Sequence, residues 1–367
     1  MNVKPTCSNC GAILSEEEIC EFDGAVMCSA CLESATKVCD NCGTRIWRDE
    51  VEGDDVYTLC RRCYDDCFTN CERCGRLISN SNACYEDGED YPYCYDCYSK
   101  IESSPIKSYN YKPDPTFYGS GPLYYGIELE IDKGGEYDEN AEDITYLSKN
   151  RVYCKHDGSI NEGFEIVSHP MSLSYHTNEM NWIDILNKAI SMNYRSHNTS
   201  TCGLHIHASR RAFGETYEEQ EKGIGRVVYF IERHWNELVH FSRRTEENLN
   251  RWAARYATIS RTATETYKKA KDKHYGRYVA LNLENFSTIE FRMFRGTLRY
   301  KTFLATLQLV DEICNCAIIM NDNEMENMSW LDFVSRIPPK KLELIEYLKS
   351  KQLYVNSTSE TTEQEEM

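Results

Sequence analysis

The chain is 367 residues long, 41% hydrophobic, and carries a formal net charge of −18. That length allows two or three domains, and the acidic balance excludes nucleic acid as the expected partner, because such a surface repels phosphate backbones. No apolar run near the ~20 residues of a membrane span is read from the sequence. The opening MNVKPTCSNC has no apolar run after its lysine, so a cytoplasmic chain without signal peptide or membrane contact is expected.

Fifteen of the 19 cysteines lie at or before Cys97. Twelve form C-x2-C pairs: Cys7/Cys10, Cys28/Cys31, Cys39/Cys42, Cys60/Cys63, Cys71/Cys74 and Cys94/Cys97. The leading cysteines Cys7, Cys39 and Cys71 fall 32 residues apart, the signature of a repeated small module. Gly11, Gly43 and Gly75 follow the first pair each time, where positive φ lets backbone N–H groups turn toward thiolates. A module of this size buries too little apolar surface to fold alone, and a structural Zn²⁺ can contribute roughly 10–16 kcal/mol in place of a core. In a reducing compartment such pairs are metal sites rather than disulfides, so about three Zn²⁺ are expected. Consecutive pairs are expected to share an ion, and an interleaved pairing stays open. The spacing resembles zinc ribbons and half a LIM domain, without the LIM histidine. Cys20, Cys67 and Cys84 fall outside the pattern and are read as small hydrophobes or free thiols.

Residues 1–100 are thus read as three four-cysteine zinc modules. Residues 101–121, punctuated by Pro105, Pro113 and Pro115, are read as a linker. Residues 122–354 are read as one domain, and 355–367 as a disordered acidic tail. Within the large domain, strands are predicted at 124–131, 151–155, 163–168, 202–208, 278–283 and 288–295. Helices are predicted near 138–149, 174–192, 216–243, 245–256, 300–322, 328–336 and 339–350. Alternating strands imply an antiparallel sheet with one face covered by helices and one accessible, an α+β fold. The P-loop and G-x-G-x-x-G signatures are absent.

Period-two parity then assigns faces. In Tyr125–Ile131, Ile127, Leu129 and Ile131 point to the core, and Glu128 and Glu130 project together from the other side. Two adjacent carboxylates repel unless a cation or proton sits between them, and Mg²⁺ takes such oxygens. The same parity pairs His205 with His207, and Glu290 with Arg292. Glu165 stands among apolar neighbours in its strand. Arg292 and Arg295 add positive charge, with Arg277 a further phosphate contact; metal with arginine suits phosphoryl transfer.

The runs Gly126-Ile127-Glu128-Leu129-Glu130, Asp157-Gly158-Ser159, Glu165-Ile166-Val167-Ser168-His169-Pro170, Cys202-Gly203-Leu204-His205-Ile206-His207 and Ile289 through Leu298 together resemble the amidoligase family, relatives of glutamine synthetase and glutamate–cysteine ligase with phage and bacterial members. The resemblance spans roughly residues 122–320. It implies a curved antiparallel sheet lining a glutamine-synthetase-like funnel, and an ATP-dependent ligase joining a carboxylate to an amine through an acyl phosphate. It further implies Mg²⁺ on Glu128, Glu130, Glu165 and Glu290, ATP contacts from His205, His207, Arg277, Arg292 and Arg295, and a base for which Glu162 is the candidate. The zinc modules lie outside such a core, and are read as recruiting a peptide or protein substrate. Two other readings stay open: a non-catalytic zinc-module adaptor with a degenerate ligase-like domain, and a metal-dependent hydrolase built on His205 and His207.

Overall fold

The computed structural model describes residues 5–86, 90–199, 201–257, 259–272 and 276–354; the tail expected at 355–367 lies outside them. The chain divides into two compact units, Met1–Ser103 and Ser104–Met367.

The first unit repeats one motif three times. A short antiparallel pairing encloses each first C-x2-C pair: Thr6 with Ile13, Thr36–Val38 with Arg45–Trp47, and Phe68–Asn70 with Leu77–Ser79. A second pairing follows: Cys20–Phe22 with Ala25–Met27, Glu52–Gly53 with Thr58–Leu59, and Cys84 with Tyr93. A helix then begins directly after the third cysteine, at Ser29–Ala35, Arg61–Cys67 and Tyr95–Ser103. The longer cysteine gap of the third repeat is absorbed in its second pairing. Gly11, Gly43 and Gly75 have φ of 74°, 74° and 71°, and each donates its N–H to the carbonyl of the leading cysteine, the tight turn expected of them. Neighbouring repeats are stapled by single side chains: Trp47 packs edge-on against Phe22, centroids 5.1 Å apart, and Leu77 joins the small core of the second repeat.

The second unit is built on seven strands: β1 (Ile106–Lys107), β2 (Tyr125–Ile131), β3 (Val152–Lys155), β4 (Phe164–Ser168), β5 (Gly203–Ser209), β6 (Leu281–Asn282) and β7 (Thr288–Arg295). They run in the order β6-β7-β5-β2-β4-β3-β1. All pairings are antiparallel except the last, where β1 lies parallel to β3. The expected all-antiparallel sheet is therefore corrected to a mixed one. The added strand comes from the stretch read as a linker, whose prolines flank Ile106–Lys107 without interrupting it.

One sheet face is apolar. Ile127, Leu129, Ile131, Ile166, Leu204, Ile206, Ile289 and Phe291 are fully buried, and α8 (Tyr300–Ile319) is part of the same core. This helix also corrects the expectation of no span-length apolar stretch. It is long and apolar enough to cross a bilayer, but 83% of the relevant window is buried inside the unit, as in the central helix of a packed core. The other helices are α1 (Asp138–Leu147), α2 (Leu173–Asn178), α3 (Trp182–Ser191), α4 (Tyr217–Arg233), α5 (Trp235–Ser242), α6 (Glu246–Trp252), α7 (Ala263–Asp272), α9 (Asp322–Asn327), α10 (Trp330–Arg336) and α11 (Leu342–Ser350). Two long predicted helices are each broken in two. Residues 174–192 divide at 179–181, where Asn181 leaves helical geometry. Residues 216–243 divide at His234, whose Nε2 lies 3.2 Å from the Met328 carbonyl oxygen. The α7 helix was not anticipated; its polar composition hides the apolar stripe of Ala263, Tyr267 and Ala270.

The covering helices carry one costly buried group. Lys341, 3% exposed, places Nζ 2.6 Å from both Asp311 Oδ2 and Glu312 Oε2, and Asp311 also accepts from the Tyr125 hydroxyl at 2.8 Å. Removing one partner of such a cluster strands the other charges away from water. Lys341→Met is therefore expected to lower the unfolding free energy of the second unit by about 3–5 kcal/mol, read from urea unfolding; a loss under about 1 kcal/mol would contradict this.

Candidate active site

In the first unit, the four thiols of each repeat converge: Cys7, Cys10, Cys28 and Cys31; Cys39, Cys42, Cys60 and Cys63; Cys71, Cys74, Cys94 and Cys97. Within each group the sulfurs lie within 4.8 Å of one another. Consecutive pairs thus share a site, and the interleaved alternative is excluded. In the first cluster, the backbone N–H groups of Cys10 and Cys28 pull the Cys7 thiol down to about 6. The adjoining Cys28 pushes Cys31 up to about 12. Four thiols this close cannot all ionise without a cation, and four-sulfur donor sets suit Zn²⁺. Cys20, Cys67 and Cys84 stand outside these three groups.

In the second unit, register carries the chemistry. On the accessible face of the sheet, Glu130 lies opposite Glu165 and Glu165 opposite Lys155. One row over, Glu128 lies opposite His205. In the next row, Gly126 faces His207, His207 faces Glu290, and Glu290 faces Asn282. The four strands expected to present polar tips on one face do so, in adjacent rows.

The side chains meet. His205 Nδ1 is 3.5 Å from Glu128 Oε2 and 3.7 Å from Glu290 Oε1, and its Nε2 is 3.9 Å from Glu130 Oε1. His207 Nε2 is 3.1 Å from Glu128 Oε1, and its Nδ1 is 3.0 Å from Thr288 Oγ1. Glu290 Oε2 accepts from Asn282 at 2.9 Å and Asn285 at 3.2 Å, while Arg292 donates to Oε1. Lys155 Nζ sits 3.2 Å from Glu165 Oε2, and the Gly203 N–H donates to Glu130 Oε2 at 2.5 Å. Two triads, Glu128–Glu165–His205 and Glu128–His207–Glu290, each gather donor atoms within 4.8 Å.

Burial raises every carboxylate here, and neighbours decide the outcome. For Glu128, burial is outweighed by the charges of His207 and His205, so its pKa falls well below the usual range. For Glu165, burial and then the Glu128 charge push the pKa well up. Glu130 is raised mainly by burial. Burial opposes a proton on His207, but Glu128 and Glu290 win and raise its pKa. The face thus holds two carboxylates drawn toward ionisation, Glu128 and Glu290, beside two that burial draws toward protonation, Glu165 and Glu130. Hard carboxylate oxygens with imidazole nitrogen beside them fit a divalent ion such as Mg²⁺.

The face floors a cavity of about 790 Å³, within the size range of ligand pockets. Among the described residues, buried Thr201 Oγ1, Trp252 Nε1 and Arg292 Nε, all on residues lining this cavity, lack a hydrogen-bond partner, while His205 Nδ1 and His207 Nε2 meet only carboxylates of the same face. Buried polar groups are normally satisfied, so their concentration here marks a place built for a polar ligand.

Expected residues Glu128, Glu130, Glu165, His205, His207, Arg277, Glu290 and Arg292 all line the cavity, and so does Asp157. Arg295 does not. Between Leu204 and Ile206 the pairing with β7 shifts, Leu204 facing Phe294 and Ile206 facing Phe291. This one-residue bulge buries Phe294 as well as Phe291 and puts Arg295 opposite Gly203 at the end of the strand, where it reaches Asn198 Oδ1 at 3.4 Å. Glu162 does not line the cavity either; its backbone N–H caps Asp132. The lysines and arginines of the cavity lining that the reading missed are Lys112, Lys155 and Arg244. Arg244 is 8% exposed, burial lowers its pKa to about 10, and its Nε donates to the Phe294 carbonyl at 3.2 Å. Gly203 admits it: a Cβ there would lie 2.3 Å from Arg244 Nη2 and 2.7 Å from His205 Nε2.

Residues 136–314 match a protein-family model described as "Putative amidoligase enzyme". The matched segment contains Glu165, His205, His207, Arg244, Glu290 and Arg292, and begins just after the strand that carries Glu128 and Glu130. No curated protein matches the chain. The segment that supplies most of this cavity's charged tips is thus the one that matches the amidoligase family, and ahead of it stand three four-cysteine modules of zinc-site type.

Proposed function

We propose that the second unit is an ATP-dependent carboxylate–amine ligase, its sheet forming one wall of a glutamine-synthetase-like funnel. The observation that carries this reading is the convergence of Glu128, Glu165, His205 and Glu290 in one cavity with Lys155, Arg244 and Arg292 beside them. Glu128, Glu165 and Glu290 would hold Mg²⁺, which neutralises phosphate charge when bound. Arg292 and Arg244 stabilise the negative charge on the transferred phosphoryl group. A substrate carboxylate oxygen attacks the γ-phosphorus and ADP leaves. The amine nitrogen then attacks the acyl carbon and phosphate departs, leaving the amide. The amine's proton goes to a carboxylate, for which Asp157 in the cavity wall replaces Glu162. The zinc modules recruit a peptide or protein that carries one of the two reacting groups.

Full-length protein with Mg·ATP, scanned over free amino acids, polyamines and peptides, tests this. The expected result is acceptor-stimulated ADP release matched by amide formed. Peptide hydrolysis without ATP would select a hydrolase instead. Nucleotide binding without turnover across the panel would select an adaptor.

A further inference from the structure

A side chain of the cavity lining comes from outside the family match and gathers cations from within it. Tyr109 belongs to the segment between β1 and β2, ahead of the matched residues, yet lines the cavity. Lys155 Nζ lies 5.7 Å from the centre of its ring, and the Arg277 guanidinium 5.8 Å. Arg277 also donates to the Tyr109 hydroxyl, and to the Tyr278 hydroxyl at 3.1 Å. Its guanidinium stands 5.1 Å from the Tyr278 ring, and that of Arg292 6.0 Å. The groups therefore alternate: Lys155, Tyr109, Arg277, Tyr278, Arg292. The two ends of this arch are anchored on the sheet face, Lys155 on Glu165 and Arg292 on Glu290, both members of the candidate metal triads.

Three cations held over a carboxylate face by two phenol rings are arranged for one kind of ligand. A bare anion would be repelled by the carboxylates, and a bare cation by the arch. A phosphate chain carrying a divalent ion satisfies both, its metal toward Glu128, Glu165 and Glu290 and its oxygens toward Lys155, Arg277 and Arg292. A divalent ion on Glu165 and Glu290 would also release Lys155 and Arg292 from those carboxylates for phosphate oxygens.

We propose that this arch is the phosphate-binding roof of the site, and that Tyr109 is a positioning residue that holds Lys155 and Arg277 over the metal face. The proposal deepens the ligase reading, since it assigns a phosphate-chain subsite to the same cavity. The chain that leads into the domain is then part of its active site rather than a tether.

Calorimetric titration of the full-length protein with Mg·ATP, and separately with Mg·tripolyphosphate, tests both levels. The Tyr109→Ala variant is expected to weaken both ligands about tenfold. Tyr109→Phe, which keeps the ring over Lys155 and loses the hydroxyl contact to Arg277, should recover part of that loss. The melting temperature should stay at the wild-type value, which a merely structural role would not allow, and affinity for Mn²⁺ alone should not fall. Unchanged affinities in Tyr109→Ala would overturn the roof and leave the ligase reading standing. Binding of tripolyphosphate but not of Mg·ATP by the wild type would overturn the ligase reading and leave the roof. Binding of neither ends both.

Discussion

Glu128→Gln is expected to reduce Mg²⁺-dependent ATP turnover by about 10³-fold, near the upper end of the effect of losing one preorganised electrostatic group. Glu128 is the carboxylate common to the two candidate triads, and its pKa is held well below the usual range because His207 and His205 outweigh its burial. Glutamine keeps its shape and takes away its charge, so the loss should appear as weakened divalent-ion dependence rather than as unfolding. Arg292→Ala should cost about 10²-fold and act differently. It frees Glu290 Oε1 from its guanidinium, so ion binding should persist while turnover at saturating ion falls. Steady-state ADP release across a Mg²⁺ titration separates the two. Equal activity of Glu128→Gln and wild type at any ion concentration would remove the metal face from the mechanism.

The second large effect concerns the four-cysteine modules. Metal analysis of the full-length chain is expected to find three Zn²⁺, and the Cys39→Ser/Cys60→Ser pair to lower this to two. Each repeat has only a handful of buried apolar residues, the first a cluster of Cys7, Leu14 and Met27, so a site worth roughly 10–16 kcal/mol exceeds what the repeat can otherwise gain. Chelation should therefore unfold the first unit while the second, with its own core, stays folded. Hydrogen exchange reads both at once: amides across 5–86 should lose protection, and those of the strands Tyr125–Ile131 and Gly203–Ser209 should keep it. Because thiolates must form before they bind, zinc should also leave as pH falls. Protection of the hairpins at 36–47 and 68–79 surviving metal removal would show that the repeats fold without an ion.

What could be read from the residues, and what could not, follows from which physical constraint acts locally. Strand parity does. Once Tyr125–Ile131 is a strand, Glu128 and Glu130 must share a face, and the same holds for His205 with His207 and Glu290 with Arg292. The cysteine repeat is equally local, since spacing and a positive-φ glycine define each knuckle. The bulge in Thr288–Arg295 is not local. It arises where β7 meets β5; it turns Phe294 inward and puts Arg295 opposite Gly203, the place strict alternation from Glu290 and Arg292 gives to Phe294. Arg244 was invisible because it lies in a turn after α5, next to Arg243 at φ 62°, with no periodic signal. Gly203, the glycine of the Cys-Gly-Leu-His-Ile-His run, was the available hint, since a strand glycine marks a close approach. Lys155 sat on a correctly predicted strand, and only its pairing opposite Glu165 gives it meaning. The stretch at 101–121 looked like a tether because prolines and glycines punctuate it and it shows no periodic apolar face. A two-residue strand and a single tyrosine are too short to register against that background.

The most direct test of the account is to locate ions. Crystals of the full-length protein grown with Mn²⁺ and a non-hydrolysable ATP analogue should show anomalous density between Glu128, Glu165 and Glu290, with phosphate oxygens beneath Lys155, Arg277 and Arg292. Manganese elsewhere, or a nucleotide bound away from this face, would contradict it.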